Sequence, residues 1–517
     1  MVTTSRFTLV LLLALLLASC APSTGLPPRP SPVQNGGLTD SNYANFLASA
    51  ECHLDLQAST LQSNAQNDLI RSKSNACYDL SLQLDPETSS YTGTLDLAFL
   101  NESARDISDL VFRLYPNTVY NYAGNLTVNL VKISGRPVET ELLLNDQSAL
   151  RVPLPVSLKP GESIQLTLEF QGSIPDNSST YGIFNHDIKN NVITLADWYP
   201  ILAARDSTGW IAAEIQPQGD AVTSETGLYH VSIRLPVLWK VAATGSDIEN
   251  AANGSDQTIE IVSGPVREFM IAASPNFEVV DLSTQMGMIH QWILAGYDKE
   301  QIDSLQVIEH SMELFSEQFG EYPFTELDVV TVDLNKASGV EYPGLVLIEH
   351  DLYNPKADLN LLATVLTHEV AHQWWFNLVG NDVQRNPWQD EALATVSALL
   401  YFDKYNRAYM NGTIQYFQNT VQEFEATPGS ELFQIGNPLS TFHDEPRAYS
   451  TIVYRKGALF LWELRNKIGA QAFDQALQDY FQQNEFQLVQ PDALLRAFEN
   501  QCNCDLKGFY QGWGVIK

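Results

Sequence analysis

The amino-acid sequence predicts an α+β multidomain protein, in which a β-sandwich-like domain precedes a mostly helical domain with a small mixed sheet. Short alternating or β-branched runs, separated by Pro, Gly and Asn, occupy residues 77–278. After residue 298, apolar residues recur at steps of three and four, as on one face of a helix. The 517 residues are 44% hydrophobic, which is enough apolar material for more than one core.

The chain begins with a segment typical of a secretory signal peptide. Arg6 precedes an apolar run at residues 9–17, which is too short for a permanent membrane span. The run ends in Leu17-Ala18-Ser19-Cys20, which is similar to a bacterial lipobox, whose cysteine is acylated. An ordinary cleaved signal with an incidental cysteine is the alternative. We therefore expect residues 1–19 to be removed, Cys20 to be lipidated, and the protein to be an envelope lipoprotein facing the periplasm or the exterior.

Residues 20–44 are predicted to form a lipid-anchored tether. Five prolines with Ser, Gly and Asn lie between residues 21 and 37, a composition that cannot bury enough apolar surface to fold. No later stretch reaches the roughly 18 uninterrupted apolar residues of a spanning helix, so contact with the membrane surface is expected only through Cys20. The net charge of −32 excludes nucleic acid as a partner, because phosphate binding needs clustered Lys and Arg.

Four further cysteines lie in the body of the chain, namely Cys52, Cys77, Cys502 and Cys504. Their even number in an exported, oxidising location indicates disulfides. A bond between Cys52 and Cys77 would close a loop near the start of the body. A bond between Cys502 and Cys504 is predicted to be strained, because a single residue separates them. The sequence leaves the pairing open.

The first folded domain is predicted at residues 45–277 and the second at residues 278–517. The strands predicted for the first domain are residues 78–84, 91–100, 164–170, 229–235, 258–262 and 269–273. The second domain is predicted to begin with an amphipathic helix that ends before Gly320. Buried strands at 327–332 and 345–348, a helix from Asp358 to about residue 379, and further helices to residue 513 follow.

The chemistry of the second domain is indicated by His368, Glu369 and His372. Histidines four residues apart project from the same helix face, where both imidazoles can bind one Zn²⁺. Glu391, separated from His372 by eighteen residues, supplies a third ligand. Three protein ligands leave one tetrahedral position open, as in catalytic rather than structural zinc sites. Glu369 lies about 100° round the helix from His368, so it flanks the metal as a general base without binding it.

The segment His368-Glu369-Val370-Ala371-His372, an HExxH motif, resembles the aminopeptidase N family of gluzincin zinc metallopeptidases. The spacing to Glu391 and the segment Trp388-Gln389-Asp390-Glu391 show the same resemblance. The resemblance implies a saddle-shaped N-terminal β-domain, a thermolysin-like catalytic domain and one zinc ion per chain. Residues 78–86 and 196–200 resemble segments of the family's β-domain, so the likeness extends over nearly the whole body. It further implies a short form, because the family's large C-terminal helical domain has no counterpart in this sequence.

The resemblance also implies roles for individual residues. The family's Gly-Ala-Met-Glu-Asn segment is represented by Gly339, Val340 and Glu341, in which the glutamate binds the substrate's α-amine. An anion fixed there pairs with an ammonium and rejects chains that continue past the first residue, which favours an exopeptidase. Tyr454 matches the tyrosine of the family's Tyr-Glu-Lys-Gly-Ala and is the implied oxyanion donor. The N-terminal-domain glutamine that helps some relatives bind the amine is not located in this sequence.

The sequence thus predicts a zinc-dependent aminopeptidase that acts on peptides with a free N-terminus. Metal-activated water would attack the peptide bond, with Glu369 as general base. One alternative is a metallo-endopeptidase with an open cleft, which cleavage of amino-blocked peptides would reveal. The other is a catalytically silent lipoprotein that binds peptides. The preferred N-terminal residue and the oligomeric state are not predicted.

Overall fold

The computed structural model describes residues 38–50, 52–176, 180–294, 303–354 and 356–517. The predicted signal peptide, Cys20 and most of the predicted tether lie outside the described residues. Within the described ranges, no helix combines the length and the apolar character needed to cross a bilayer.

The predicted tether extends too far along the chain, because helix α1 (Asp40–Ser49) begins before residue 44. Tyr43, Phe46 and Leu47 on this helix are buried. The Tyr43 hydroxyl donates a 2.6 Å hydrogen bond to Glu102 Oε2 on the N-terminal domain. Three apolar side chains on one face therefore attach α1 to the β-rich domain, a contact that the proline-rich composition upstream does not predict.

The N-terminal domain contains two further short helices, α2 (Leu54–Ser59) and α3 (Asp68–Arg71), before its strands. The strands are β1 (Ala76–Asp85), β2 (Ser90–Leu100), β3 (Ile107–Arg113), β4 (Asn125–Ile133), β5 (Arg136–Pro137), β6 (Glu141–Leu143), β7 (Ala149–Leu158), β8 (Ser163–Ser173), β9 (Phe184–Asp187), β10 (Val192–Leu195), β11 (Ile201–Leu202), β12 (Arg205–Asp206), β13 (Gly209–Trp210), β14 (Gly227–Pro236), β15 (Lys240–Ala243), β16 (Ser246–Asn253), β17 (Asp256–Val266) and β18 (Ile271–Ser274).

These strands form an eight-stranded sheet in the order β16-β17-β14-β1-β2-β8-β4-β5 and smaller sheets beside it. The smaller sheets have the orders β15-β18-β10-β9, β11-β3-β7-β6 and β12-β13. Burial alternates along β1, where Leu80, Leu82 and Leu84 are buried and the residues between them are exposed. One face of the large sheet therefore covers the core and the other faces solvent.

The C-terminal part combines a five-stranded mixed sheet with helices. Its strands are β19 (Phe277–Thr284), β20 (Gly287–Leu294), β21 (Glu326–Val332), β22 (Gly339–Tyr342) and β23 (Leu345–Glu349), in the order β19-β20-β21-β23-β22. Its helices are α4 (Asp303–Gln318), α5 (Leu359–Ala371), α6 (Trp388–Tyr405), α7 (Arg407–Glu425), α8 (Pro446–Tyr449), α9 (Gly457–Ile468), α10 (Ala470–Asn484), α11 (Pro491–Cys502) and α12 (Lys507–Trp513). The predicted α+β class is confirmed, and the sheet's first strand begins beside the predicted division at residue 278.

Helix α5 begins where predicted but ends earlier. The Asp358 side chain accepts a 2.9 Å hydrogen bond from the backbone N–H of Asn360, as an N-cap residue does. The helix ends at Ala371 rather than near residue 379, so that prediction was wrong. Phe376 has φ +105°, which cannot continue a right-handed helix, and the chain folds back there.

Both cysteine pairs are bonded, Cys52 to Cys77 and Cys502 to Cys504. The Cα atoms of Cys502 and Cys504 are 5.2 Å apart, an ordinary separation for a disulfide. The intervening Asn503 has φ +49°, which turns the chain so that the two cysteines meet. The predicted strain is therefore not seen in the Cα separation of this pair.

Arg267 links the two halves of the molecule from a buried position after β17. Its guanidinium donates to four backbone carbonyls, those of Ser224 (2.9 Å), Phe376 (2.9 Å), Asn377 (3.1 Å) and Gln487 (2.8 Å). Two of these carbonyls belong to the segment in which the chain folds back after α5. One N-terminal-domain side chain thus fixes the backbone that follows the predicted metal-binding helix.

We expect Arg267→Met to lower the free energy of unfolding by about 3–5 kcal/mol, because buried carbonyls lose a charged donor that methionine cannot replace. Urea-unfolding curves followed by tryptophan fluorescence measure the change. Arg496→Met is the matched control, because Arg496 is largely exposed, and a surface change of this kind stays within about 0.5 kcal/mol of wild type. An equal loss of unfolding free energy in the two variants would contradict the proposed role of Arg267 in linking the two halves.

Candidate active site

A cavity of about 530 Å³ lies where β22, α5 and α6 meet the N-terminal domain. Both halves of the molecule line it, and its walls carry more acidic than basic side chains. The acidic residues are Asp197, Asp220, Glu268, Glu341, Glu369 and Glu391, and the basic residues other than histidine are Lys336 and Arg455. Such walls favour ligands with positive charge.

The three predicted metal ligands converge on one wall of this cavity. His368 Nε2 lies 3.2 Å from Glu391 Oε2 and 3.2 Å from His372 Nε2. His372 Nε2 lies 3.5 Å from Glu391 Oε2. A tetrahedral ion with bonds of about 2.0–2.2 Å separates its ligand atoms by about 3.3–3.6 Å. The triangle of donor atoms therefore has the dimensions that one zinc ion requires.

Hydrogen bonds behind the imidazoles turn both Nε2 atoms toward this point. His372 Nδ1 is 2.9 Å from the carbonyl oxygen of Trp375, which accepts its N–H. His368 Nδ1 is 3.5 Å from Thr395 Oγ1, whose hydroxyl donates to the carbonyl of Glu391. A partner at Nδ1 leaves the Nε2 lone pair free for a metal. The fold-back after Ala371 is what places the Trp375 carbonyl beneath His372.

The electrostatics of the site also suit a bound cation. Burial would raise the pKa of Glu391, but hydrogen bonds from His368 and His372 bring it down to about 2. Burial lowers the pKa of His368, which favours the neutral imidazole that a metal binds. Burial has the same effect on His372, yet the charges of Glu341 and Glu391 outweigh it and raise the pKa of this imidazole. The carboxylates thus stabilise positive charge at this point.

Glu369 is buried beside the donors, and its carboxyl group packs on the backbone of Gly339. A Cβ atom at position 339 would lie 2.4 Å from Glu369 Oε1, so only glycine leaves room for the carboxyl group in this position. Burial, with the charges of Glu341 and Glu391, raises the pKa of Glu369 well above its usual range. A carboxylate with a raised pKa can take a proton and return it.

Glu341 lies on β22 at the edge of the mixed sheet, next to His372. Its Oε1 is 3.7 Å from His372 Nδ1, and donor atoms of Glu341, Glu369 and His372 lie within 4.8 Å of one another. Within the described part of the chain, Glu341 Oε1 is buried and has no hydrogen-bond partner. A buried carboxylate oxygen without a donor is costly unless a ligand supplies one. An ammonium group in the cavity would meet this need.

The hairpin that carries Glu341 is fastened to α5 by Gln373. The Gln373 side-chain amide donates to the carbonyl of Tyr342 at 2.9 Å and accepts from the N–H of Gly344 at 2.9 Å. Val340, between Gly339 and Glu341, pairs with Leu347 of β23 and also lines the cavity. The residue next to His372 in sequence therefore sets the position of the predicted amine-binding strand.

Tyr454 lies in a π-helical turn, Ser450–Lys456, that precedes α9. Its hydroxyl donates a hydrogen bond to Glu391 Oε1, and its ring lies 5.9 Å from the His368 ring. A π-turn is a frequent feature of functional sites. In this structure the phenol therefore contacts a predicted metal ligand and lies beside a second one.

Asp197, Asp220 and Glu268 are cavity residues that the sequence analysis did not identify. Burial raises the pKa of Asp197 to about 6 and the pKa of Glu268 well above its usual range. All three lie far in sequence from the histidines, and although Asp197 falls in the family-like segment 196–200, nothing in that segment indicated a place in the cavity. Because these raised pKa values favour the protonated forms, the three residues add less negative charge to the cavity than their number suggests, and they present carboxyl oxygens to a ligand there.

The metal donors lie on two helices next to a mixed sheet, and a β-rich domain precedes this catalytic half. This combination is typical of two-domain metallopeptidases with an HExxH motif. Residues 304–513 match the Peptidase family M1 domain. The chain is 22% identical over 463 residues to aminopeptidase M1-A of Oryza sativa subsp. japonica, covering 84% of this chain and 49% of the relative. It is 23% identical over 407 residues to aminopeptidase N of Streptomyces lividans, covering 75% of this chain and 45% of that relative.

A solved structure with the same fold is a mutant M1 zinc metallopeptidase from Deinococcus radiodurans bound to a Tyr-Ser-Ala substrate. The TM-score is 0.62 at 19% sequence identity, with 85% of this chain and 93% of that chain covered. Residues 304–513 therefore carry a Peptidase family M1 domain, and the chain is similar to aminopeptidases M1 and N over most of its length, as its motifs indicated. It spans about half the length of the rice and Streptomyces relatives.

Proposed function

We propose that this protein is a single-zinc aminopeptidase, with His368, His372 and Glu391 holding the ion. The observation that carries the proposal is the pairing of two features in one cavity. The three donor atoms form a triangle of zinc-ligand dimensions. Beside it, the buried Glu341 carboxylate has an oxygen with no hydrogen-bond partner among the described residues, which suits a substrate ammonium.

When bound, zinc supplies a Lewis acid that polarises the scissile carbonyl and lowers the pKa of water toward about 7. Glu369 takes the proton of the attacking water and passes it to the leaving amine. The Tyr454 hydroxyl releases its hydrogen bond to Glu391 and donates instead to the oxyanion of the tetrahedral intermediate. Glu341 binds the α-ammonium and so sets which peptide bond reaches Glu369.

The acidic walls favour an aminopeptidase over the endopeptidase alternative. A peptide bound through its middle presents neutral amides, which cannot compensate the charge of Glu341 or of the neighbouring carboxylates. A free N-terminus brings an ammonium to this position. The Deinococcus relative was solved with a tripeptide whose first residue is tyrosine, a substrate of the proposed kind. The complete set of donors also disfavours a catalytically silent binding protein.

The experiment that tests this function uses the purified protein with a panel of aminoacyl fluorogenic substrates. Cleavage should stop with a zinc chelator and return when Zn²⁺ is added back. The same peptides with acetylated N-termini should be cleaved far more slowly. Equal cleavage of free and acetylated peptides would establish the endopeptidase instead, and no cleavage of either by zinc-loaded protein would establish the silent binding protein.

We expect Tyr454→Phe to lower kcat by about 10²- to 10³-fold with little change in KM, because the phenol acts on charge that develops in the transition state. Steady-state kinetics on the best aminoacyl substrate measure the effect. Zinc content is determined in parallel, because the hydroxyl also contacts Glu391. Tyr416→Phe, at an exposed position, is the matched control. A proportional loss of zinc would make Tyr454 a support for the metal site instead.

The envelope location is proposed from the sequence alone, because Cys20 lies outside the described residues. We expect cells that express the protein to incorporate labelled palmitate into it, since a lipobox cysteine is acylated after export. Cys20→Ser should abolish the labelling and release the protein from the membrane fraction. Unchanged fractionation of Cys20→Ser would show that the cysteine is incidental.

A further inference from the structure

Two imidazoles and one carboxylate lie together away from this cavity, on the outward face of the eight-stranded sheet. They belong to His53, Asp79 and His230, whose ligand atoms all lie within 4.8 Å of one another. His230 Nδ1 is 3.1 Å from Asp79 Oδ1, and His53 Nε2 is 3.5 Å from Asp79 Oδ2. The two imidazole rings are 4.4 Å apart between centroids.

The fold holds these three side chains together by rigid connections. Strands β1 and β14 are parallel neighbours, and their register places Asp79 directly opposite His230. His53 follows Cys52, whose disulfide to Cys77 fastens it to the same strand two residues before Asp79. The cluster is therefore assembled before any ligand arrives, which lowers the entropic cost of binding.

The His230 ring is also held by a residue on the side away from the proposed metal, as is usual for metal-binding histidines. Its Nε2 faces Glu260 Oε2 of β17 at 3.4 Å, and Ser232 Oγ donates a 2.8 Å hydrogen bond to the other Glu260 oxygen. A proton held on Nε2, which faces the Glu260 carboxylate, leaves the Nδ1 lone pair directed to Asp79 and His53. A carboxylate behind the ring is the usual support of a histidine ligand and raises its basicity.

Charge and access both favour a metal ion at this position. Two imidazole nitrogens and one carboxylate oxygen are donors that a dication binds, and the dication offsets the charge of Asp79. The cluster lines an open cavity of about 710 Å³, and the Asp79 side chain is about half exposed, so an ion can enter from solvent. Imidazole ligands select borderline transition metals over Mg²⁺ and Ca²⁺.

We propose that His53, Asp79 and His230 form a second binding site for a divalent transition-metal ion of the Zn²⁺ class. Its ligands come from the start of α2 and from β1 and β14, whereas the catalytic donors come from α5, the turn after it and α6. The second site therefore does not depend on the proposed peptidase function. Glu260 acts on it as a positioning residue rather than as a ligand.

The experiment counts Zn²⁺ bound to the whole mature protein by equilibrium dialysis and mass spectrometry of the metal. Wild type is expected to bind a second equivalent beyond the catalytic one. His230→Gln should lose one equivalent, His368→Gln with His372→Gln should lose the other, and the triple variant should bind none. His53→Gln, at a partly exposed position, repeats the test if His230→Gln fails to fold.

His290→Gln is the matched control, because His290 Nδ1 also faces an aspartate, Asp281 Oδ1 at 2.7 Å. Among the described residues, His290 belongs to none of the side-chain groups that could hold a metal ion. This variant should keep both equivalents. Glu260→Gln should weaken the second equivalent by about 10- to 100-fold and leave the catalytic one unchanged. A single equivalent in wild type, or a second equivalent that survives both His53→Gln and His230→Gln, would overturn the proposal.

Discussion

Glu369→Gln is expected to lower kcat by about 10²- to 10⁴-fold while zinc stays bound at wild-type stoichiometry. Glutamine has nearly the shape of glutamate, so the packing on Gly339 is preserved. It cannot take a proton from the attacking water, however, and His368, His372 and Glu391 keep their positions. Single-turnover rates on an aminoacyl substrate and metal analysis of the same sample measure the two quantities separately.

The matched control is Glu313→Gln, which removes the same charge from an exposed position on α4. It should leave both kcat and zinc content at the wild-type values. If Glu369→Gln retained full turnover, another group would have to be the base. If it lost zinc, Glu369 would be supporting the metal, and its activity loss would say nothing about proton transfer.

The arrangement of the metal donors is the part of the site that could be predicted from the sequence. His368 and His372 are one helical turn apart, so the backbone geometry alone places them together. The cap at Asp358 and the spacing to Glu391 are equally local signals. Such predictions depend on contacts within a few residues, which a single sequence displays directly.

The end of α5 could not be predicted in this way. The apolar pattern continues to residue 379, yet the helix ends at Ala371 and the backbone reverses at Phe376. The carbonyls of Phe376 and Asn377 are held by Arg267, which lies over a hundred residues earlier in the chain. The Arg267 contact that competes with a longer helix comes from the other domain, and the sequence near residue 376 does not indicate it.

The surroundings of Tyr454 show a similar limit. Helical periodicity predicted an ordinary helix there, but the structure has a π-turn that brings the phenol to Glu391. The close approach also needs Gly457, where a Cβ atom would lie 2.7 Å from the Cβ of Ala392. The family motif marked the tyrosine, but only the packing of α9 on α6 shows why a glycine follows it.

Glu341→Gln should lower kcat/KM for peptides with a free N-terminus by about 30- to 5000-fold. The loss of one partner from a buried charge pair costs about 2–5 kcal/mol. Acetylated peptides bring no ammonium to the Glu341 oxygen that lacks a hydrogen-bond donor in the described part of the chain, so their cleavage should be affected little or even become faster. The informative quantity is the ratio of kcat/KM for free and acetylated forms of one peptide, which should fall toward one in the variant.

Zinc content should stay unchanged in Glu341→Gln, because Glu341 contributes no atom to the donor triangle. The acetylated peptide serves as the matched control within each enzyme, since any general damage to catalysis lowers both rates together and leaves their ratio intact. A variant whose ratio equals that of wild type would remove Glu341 from amine recognition. The discrimination would then have to come from the other carboxylates of the cavity, Asp197, Asp220 and Glu268, whose isosteric amide variants carry the same test.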